Sequence, residues 1–167
     1  MVSSTAGNKV KMINSTLCYI EKDGRILMLF RNKKINDPCA GKWVGIGGKF
    51  EPGEDADSCL LRGVWEETGL KLTSFHFHGI IHFKSNELPD EDMYLYSADG
   101  FEGEDPAGEF GTVFDCNEGD LKWIPKEKVT SLNLWEGDRY FLEPLLKGQD
   151  RVEMTCVYEG DRLVSVE

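Results

Sequence analysis

Two apolar segments near the start of the chain have the composition of β-strands. Residues Asn14 to Ile20 are rich in strand-favouring side chains, and residues Arg25 to Phe30 form a second apolar run. The turn sequence Lys22-Asp23-Gly24 separates them, and an Asp-Gly pair between two such runs favours a tight hairpin turn. The pattern therefore predicts a pair of antiparallel strands.

A segment in the middle of the chain has the spacing of an amphipathic helix. Its apolar residues recur three and four positions apart, at Leu60, Leu61, Val64 and Trp65. Either Asp55 or Asp57 can cap the amino end of this helix, and Gly69 is suited to cap the carboxyl end. The sequence predicts a helix between these caps.

The second half of the chain alternates between apolar and polar stretches. Strand patterns occur at residues 71–83, 93–101, 121–125, 151–158 and 162–166. A long acidic loop is expected at residues 103–120, and a helix is expected at residues 135–147, where Pro144 can end or bend it. Strands on both sides of a central helix predict an α/β fold, in which helices pack on a central mixed sheet.

The length and the charge of the chain narrow its expected partners. Its 167 residues suffice for one core, so we expect a flexible lead-in at residues 1–12 and a single domain at residues 13–167, as a monomer or a homodimer. A formal net charge of −11 disfavours binding to a nucleic-acid polymer. Clustered carboxylates can nevertheless hold Mg²⁺, which presents positive charge to phosphates. No apolar run approaches the roughly 18–20 residues of a membrane span, so no membrane partner is expected.

The cysteines indicate a reducing environment. They are odd in number, widely scattered and contain no C-x-x-C pair: Cys18, Cys39, Cys59, Cys116 and Cys156. This pattern favours reduced thiols in a cytoplasmic protein over a disulfide framework or a zinc site. Three histidines, His76, His78 and His82, share the face of one predicted strand, but no ligand-like residues accompany them, which favours ordinary sheet or surface histidines over a metal site.

A glycine-rich segment leads directly into the central helix. Residues 41–53 contain five glycines, whose backbone can approach a ligand closely. On the helix, Glu66 and Glu67 are adjacent and Arg62 lies one turn before Glu66. Two neighbouring glutamates alone would indicate a solvated acidic face. The glycine-rich approach to the helix favours a ligand site instead.

These residues resemble the signature of the Nudix family, G-x5-E-x7-R-E-U-x-E-E-x-G-U, where U is a bulky aliphatic residue. The matching positions are Gly48, Glu54, Arg62, Val64, Glu66, Glu67, Gly69 and Leu70. One position departs, because Gly63 stands where the signature has a glutamate. The resemblance implies an α/β/α sandwich with a central mixed sheet, and hydrolysis of a nucleoside diphosphate that is linked to another group.

The resemblance also implies roles for individual residues. Glu66, Glu67 and the Gly47 carbonyl would bind Mg²⁺ (or Mn²⁺), a cation that takes oxygen ligands and bridges phosphates. Glu54 and Arg62 would fasten the glycine-rich loop to the helix through an ion pair.

Residues Glu118 to Trp123 and Asn133 to Tyr140 are similar to the MutT-like branch of the family, which hydrolyses 8-oxo-dGTP. Residues Gly41 to Lys49 and Leu134 to Asp138 are similar to MutX-like proteins. The likeness to the MutT-like branch makes Glu118 a further metal ligand, so that Glu66, Glu67 and Glu118 are the expected catalytic acids. It places Trp135 and Asp138 in the pocket for the base, although tryptophans at helical positions are commonly core residues. Further substrate contacts are implied at positions that align with pocket or phosphate-binding residues: Thr16, Arg31, Ile46, Gly48 and Lys49.

Gly63 leaves alternatives open. The protein can work with its remaining acids, carry an inactivating substitution, or serve as a nucleotide-binding module. Within the hydrolases, the leading hypothesis is cleavage of an oxidised purine nucleoside triphosphate, such as 8-oxo-dGTP, to the monophosphate and pyrophosphate. A sugar nucleotide, a dinucleoside polyphosphate or a pterin triphosphate are the alternative substrates, since the signature handles only phosphates and metal.

Overall fold

The fold is built on one open, mixed sheet. The computed structural model describes residues 12–108, 111–112 and 114–167. The strands of the main sheet are β1 (Ile13–Lys22), β2 (Arg25–Arg31), β3 (Trp43–Val44), β4 (Lys71–Ser85), β5 (Glu91–Glu102), β8 (Gly119–Pro125), β9 (Met154–Glu159) and β10 (Arg162–Val166). Two short strands, β6 (Ala107–Gly108) and β7 (Gly111–Thr112), pair with each other. The helices are α1 (Ala56–Thr68), a 3₁₀ helix (Lys126–Ser131) and α2 (Asp138–Leu146).

The strand order of the main sheet is β10-β9-β4-β5-β1-β2-β3, and β8 pairs with β2. The β1–β5 and β4–β9 pairs are parallel, and the others are antiparallel. One apolar cluster includes Leu60 and Val64 of α1, and a second includes Phe141 and Leu142 of α2. The predicted α/β class with a central mixed sheet is confirmed.

Helix α1 has the predicted caps. The Asp55 Oδ1 atom accepts a hydrogen bond from the Ser58 N–H (2.8 Å), which satisfies one of the free amides of the first turn. Gly69 adopts a left-handed conformation (φ 75°) that residues with a side chain rarely adopt. The buried stripe is narrower than predicted, because Trp65 is 60% exposed and Leu61 is 39% exposed.

Three expectations for the second half change in detail. The region predicted as an acidic loop at 103–120 contains the short β6–β7 pair and the start of β8. Helix α2 begins at Asp138 rather than at 135, because residues before it form a turn in which the Asp138 N–H donates to the Trp135 carbonyl oxygen (3.0 Å). Pro144 lies inside α2 without breaking it, two residues before its end.

The remaining expectations concern the chain as a whole. The predicted lead-in falls almost entirely on residues 1–11, which lie outside the described residues. All five cysteines are free thiols, as predicted. No helix in the described part of the chain is long and apolar enough to cross a membrane.

Candidate active site

A cleft of about 720 Å³ brings together most of the predicted site residues. Its walls come from β1, the glycine-rich segment, the end of β2, helix α1 and the start of α2. The predicted residues that line it are Thr16, Arg31, Gly47, Gly48, Lys49, Arg62, Glu66, Glu67, Glu118, Trp135 and Asp138. The cleft therefore joins the acidic end of α1 to the amino end of α2.

The glycine-rich segment lies against β1 at very short range. The Thr16 N–H donates to the Gly48 carbonyl oxygen (2.9 Å), and a Cβ atom at Gly47 would lie 1.8 Å from the Thr16 carbonyl oxygen. Only glycine can occupy this position without a backbone shift. The close approach sets the Gly47 backbone at the floor of the cleft.

Arg62 ties this segment to helix α1. Its Nε atom lies 2.6 Å from Glu54 Oε2, and its Nη2 atom donates both to Glu54 Oε1 (2.9 Å) and to the Lys49 carbonyl oxygen (2.8 Å). This two-point pairing lowers the pKa of Glu54 to about 2. The ion pair that the sequence predicts between Glu54 and Arg62 is thus present, and it fixes the loop on the helix.

Adjacent glutamates on α1 have different surroundings, because neighbouring helical positions point about 100° apart. Glu66 faces outward and accepts a hydrogen bond from Arg62 Nη1 (2.8 Å). Glu67 faces the cleft, where its Oε1 atom accepts a hydrogen bond from the Gly47 N–H (3.1 Å). Glu67 is therefore the member of the pair that lies nearer the floor of the cleft.

Glu67 and Glu118 form a directly interacting carboxyl pair. Burial, together with the hydrogen bond and the charge of Glu118, raises the pKa of Glu67 well above its usual value. The pKa of Glu118 is lowered by its hydrogen bond with Glu67 and by the positive charges of Arg31 and Lys34, which outweigh its burial. One proton between two carboxyl groups is the expected state when no cation is present.

The basic residues around Glu118 hold it in place. Lys34 Nζ lies 3.1 Å from Glu118 Oε1, and Arg31 Nη1 lies 3.7 Å from Glu118 Oε2. Arg31 Nε is in turn 2.9 Å from Asp37 Oδ2. Glu118 directly precedes β8, where Gly119 pairs with Arg31 of β2, so this pairing brings a residue distant in sequence to the end of α1.

The oxygen atoms around the carboxyl pair suit a hard divalent cation. Among the hydrogen bonds of the described residues, none is accepted by the Gly47 carbonyl oxygen, which leaves it open for a ligand. No group of three or more His, Cys, Asp or Glu side chains in the described part of the chain is already gathered for a metal ion. One oxygen of Glu66, Oε1, is bonded to Arg62, so its Oε2 atom is the one available to a cation.

Gly63, which stands where the signature has a glutamate, is buried against the glycine-rich segment. A Cβ atom at this position would lie 3.3 Å from the Gly48 nitrogen and 3.4 Å from the Gly47 carbonyl carbon. A side chain would therefore require the loop to shift by a few tenths of an ångström. Gly63 also borders the cleft, so the missing carboxylate would have stood beside Glu66 and Glu67.

Trp135 lies at the other end of the cleft and is only 9% exposed. Its ring is enclosed by Phe83, with centroids 5.8 Å apart, and by Tyr158, with centroids 4.9 Å apart. Lys42 Nζ lies 5.7 Å from the ring centroid. Trp135 thus lines the cleft and also belongs to the core. The sequence had left both placements open.

Asp138 is the first residue of α2 and borders the same end of the cleft. Burial raises the pKa of its carboxyl group to about 7, against the opposing effect of Arg139 and Lys42. A carboxyl group with this pKa can be a hydrogen-bond donor or an acceptor near neutral pH. It is therefore suited to contact the polar edge of a ligand.

Ile46 is placed differently from its prediction. Its side chain is fully buried in the cluster that includes Leu60 of α1, and its N–H and carbonyl groups are both bonded to Cys18. It is absent from the residues that line the cleft, so the structure does not bring it together with the other predicted substrate contacts. Its pairing with Cys18 of β1 holds Ile46 in the core.

The three histidines have ordinary structural partners. His76 contacts Asp150 (2.7 Å), and His82 contacts Asp92 (2.8 Å). His78 is buried between the Asp150 carbonyl oxygen and Ser97. These contacts agree with the interpretation of sheet and surface histidines.

Several residues of the cleft were not predicted from sequence. Lys34 and Asp37 lie in a stretch whose polarity indicates only a loop, and Tyr158 lies in a strand whose pattern indicates only burial. One sequence signal could have indicated Lys34. It lies three residues after Arg31, which was an expected substrate contact.

Comparisons with known proteins show which sequences and folds this chain resembles. A family model for the NUDIX domain matches residues 12–145. The oxidized purine nucleoside triphosphate hydrolase of Danio rerio is 31% identical over 124 residues, covering 74% of this chain and 72% of that protein. The uncharacterized Nudix hydrolase YvcI of Bacillus subtilis is 27% identical, covering 86% of this chain and 85% of that protein. The crystal structure of a MutT protein from Bacillus halodurans superposes with a TM-score of 0.78 at 27% identity, covering 93% of this chain and 96% of the other.

Proposed function

We propose that this chain, which belongs to the Nudix family, hydrolyses purine nucleoside triphosphates, including oxidised ones such as 8-oxo-dGTP, to the monophosphate and pyrophosphate. The observation that carries the proposal is the single cleft that connects the Glu67–Glu118 pair with Trp135 and Asp138. One end offers oxygen ligands for a phosphate-bound cation, and the other offers an aromatic ring beside a carboxyl group. The relative from Danio rerio, an oxidized purine nucleoside triphosphate hydrolase, supports this choice of substrate.

Nudix hydrolases generally use a divalent cation such as Mg²⁺, and the residues here fit one. Glu67, Glu118 and the Gly47 carbonyl oxygen would hold it, and Glu66 would join them. When bound, the cation supplies positive charge to the phosphate oxygens and can lower the pKa of the attacking water. Mn²⁺ has the same preference for oxygen ligands and would serve in its place.

The residues of the chain account for the other requirements of the reaction. A water molecule adds to a phosphorus of the anhydride between the α- and β-phosphates, the phosphorus–oxygen bond of that anhydride breaks, and the water's proton passes to one of the acids Glu66, Glu67 and Glu118. Arg31, Lys34 and Lys49 border the same part of the cleft and provide positive charge for the phosphates. Thr16 and Gly48 form its floor.

The base would lie at the Trp135 end. Contact with an indole stabilises a nucleobase by about 1–3 kcal/mol, and Asp138 can pair with the polar edge of a purine. Because Lys42 lies over the Trp135 ring, the base would contact the part of the ring that faces the cleft or displace the lysine.

A panel of substrates with Mg²⁺ tests this function. Purine triphosphates, oxidised purine triphosphates, a pyrimidine triphosphate, a sugar nucleotide, a dinucleoside polyphosphate and a pterin triphosphate are compared for release of pyrophosphate and of orthophosphate. We expect pyrophosphate from the purine triphosphates, and Trp135→Ala should raise KM for them more than for a pyrophosphate compound that carries no nucleobase. Preferred cleavage of a compound without a purine triphosphate would overturn the proposal.

A nucleotide-binding module is the second candidate, and Gly63 favours it, because an expected acid is missing beside Glu66 and Glu67. In that case no compound of the panel would be hydrolysed, while a purine triphosphate would raise the melting temperature by an amount that increases with its concentration and its affinity. Turnover in the panel separates the two candidates.

A further inference from the structure

The last two strands of the chain lie beyond the residues that match the family model, which end at residue 145. Strand β9 pairs in parallel with β4, and β10 pairs with β9 at the edge of the sheet. Cys156 and Tyr158 of β9 nevertheless border the cleft, on the side of Trp135. The final hairpin is therefore a wall of the cleft as well as an edge of the sheet.

This hairpin is hydrogen-bonded to the segment that carries Trp135 and Asp138. The Gly137 N–H donates to the Tyr158 hydroxyl oxygen (2.6 Å), and both residues are buried. One residue earlier, Glu136 Oε1 accepts a hydrogen bond from the Leu163 N–H (3.1 Å). Both residues between Trp135 and Asp138 are thus bonded to the hairpin: Glu136 to β10 and Gly137 to β9.

The Tyr158 ring also fixes the orientation of the indole. The Trp135 and Tyr158 rings meet at 85° with centroids 4.9 Å apart, and the Phe83 ring meets Trp135 at 89°. Tyr158 and Phe83 pack on each other at 5.2 Å. Edge-to-face packing of this kind restricts how a ring can tilt, so Tyr158 and Phe83 together hold Trp135 in one position.

Gly137 allows the close contact between the two segments. Its backbone is helical (φ −68°, ψ −23°), a conformation open to any residue. A Cβ atom there would nevertheless lie 2.7 Å from the Tyr158 hydroxyl oxygen and 3.0 Å from Cys156 Sγ. Glycine at this position is therefore explained by the approach of β9 and not by backbone strain.

We infer that Tyr158 is a positioning residue for base recognition, through which the C-terminal hairpin holds Trp135 and Asp138 in the geometry that binds a nucleobase. The inference rests on the proposed function for the identity of the ligand. Among the described residues, Tyr158 has its hydrogen bond and ring contacts with Gly137, Phe83 and Trp135, and none with Glu67 or Glu118. Its loss should therefore weaken the binding of the base and leave the chemistry at the phosphates unchanged.

The variant Tyr158→Phe tests this role, since it keeps the ring and removes the acceptor of the Gly137 N–H. Inhibition constants are measured for the two products, a purine nucleoside monophosphate and pyrophosphate. We expect the constant for the monophosphate to rise about fivefold to tenfold, as the loss of a buried hydrogen bond predicts. The constant for pyrophosphate and kcat should each change less than twofold. Tyr140→Phe is the matched control, because Tyr140 lies on α2 with 55% of its surface exposed, and it should change nothing.

Gly137→Ala provides a second, independent variant. It should weaken binding of the monophosphate more than Tyr158→Phe does, because the added methyl group pushes β9 away from the Trp135–Asp138 segment. In the double variant Gly137→Ala/Tyr158→Phe the nearest clashing atom is gone, so the combined loss should be smaller than the sum of the single losses. Additive losses would contradict a direct contact between the two positions.

Two readouts separate this inference from the proposed function. Hydrogen exchange at the Gly137 amide should become faster in Tyr158→Phe whether or not the protein turns over any substrate, and the stabilisation by a purine monophosphate should fall. Unchanged exchange, or equal losses for monophosphate and pyrophosphate, would overturn the role of Tyr158. Absence of pyrophosphate release by the unaltered protein would instead overturn the proposed function.

Discussion

At the scale of single residues, burial decides the chemistry of Asp138. The pKa of this carboxyl group is raised to about 7 because burial removes it from water, which disfavours the charged form. A raised pKa means that the folded state prefers the neutral acid. The stability that Asp138 contributes is therefore complete below about pH 4 and is lost as the pH rises through about 7.

The variant Asp138→Asn should reveal this loss. Because asparagine does not ionise, its free energy of unfolding should exceed that of the unaltered protein increasingly between pH 4 and pH 8, by on the order of 3 kcal/mol at the upper end. Urea unfolding at a series of pH values measures the difference. Asp99→Asn, on the exposed face of β5, controls for the removal of one charge. A difference that does not vary with pH would contradict the assignment.

The Glu67–Glu118 pair gives a prediction for metal binding. Because the raised pKa of Glu67 keeps a proton in the metal-free pair, Mg²⁺ should release about one proton on binding, and its apparent affinity should increase with pH. Titration calorimetry in two buffers of different ionisation enthalpy measures the number released. In Glu67→Gln the release should disappear. An observed heat that is the same in both buffers would show that no proton is held there.

Gly63 gives a prediction for turnover. The variant Gly63→Glu would place a carboxylate beside Glu66 and Glu67, and general-base assistance is worth about 10²–10⁴-fold in rate. We expect kcat to rise at least about tenfold, less than the full range because the loop must shift to admit the side chain. Gly63→Gln, which has the same size without the charge, is the control. Equal turnover by the unaltered protein and by Gly63→Glu would show that the remaining acids suffice for catalysis.

At the scale of elements, the position of the glycine-rich segment depends on its contact with β1. A Cβ atom at Gly47 would lie 1.8 Å from the Thr16 carbonyl oxygen, whereas one at Gly48 would meet nothing closer than the Gly63 Cα atom at 3.8 Å. Neither residue has a positive φ angle, so the two glycines differ in space and not in backbone strain.

This difference predicts that two neighbouring substitutions change the free energy of unfolding by very different amounts. Gly47→Ala should lower the free energy of unfolding by about 3 kcal/mol, the upper range for an overpacked site. Gly48→Ala should change it by less than about 0.5 kcal/mol. Denaturant unfolding of both variants measures the contrast, and equal losses would show that the segment can move away from β1.

Some helix bounds could be predicted from local sequence signals, and others could not. Helix α1 follows from its caps, because Asp55 and Gly69 act through local backbone geometry that needs no tertiary contact. The predicted start of α2 was wrong by three residues, since the residues before Asp138 form a turn in which the Asp138 N–H donates to the Trp135 carbonyl oxygen. The exposure of Trp65 was missed for a related reason, because spacing alone does not show which side of a wide apolar stripe meets the sheet.

At the scale of the whole molecule, the signature residues locate one end of the site and distant pairings complete it. Spacing along α1 predicts Glu66, Glu67 and Arg62 together, since they share one helix. The meeting of Glu67 with Glu118 depends on the register of β8 against β2, which no local pattern specifies. The inward turn of Ile46 and the position of Tyr158 likewise depend on tertiary packing.

The position of the C-terminal hairpin also has a consequence for folding. Because β9 pairs with β4 across about 70 intervening residues, the Trp135 end of the cleft cannot assume its final form until β9 has been synthesised. Until then, the edge of β4 from Ile81 to Ser85 has no β9 to pair with, and an open strand edge readily pairs with other chains. The nascent protein should therefore be prone to misassembly in the interval between the synthesis of β4 and that of β9.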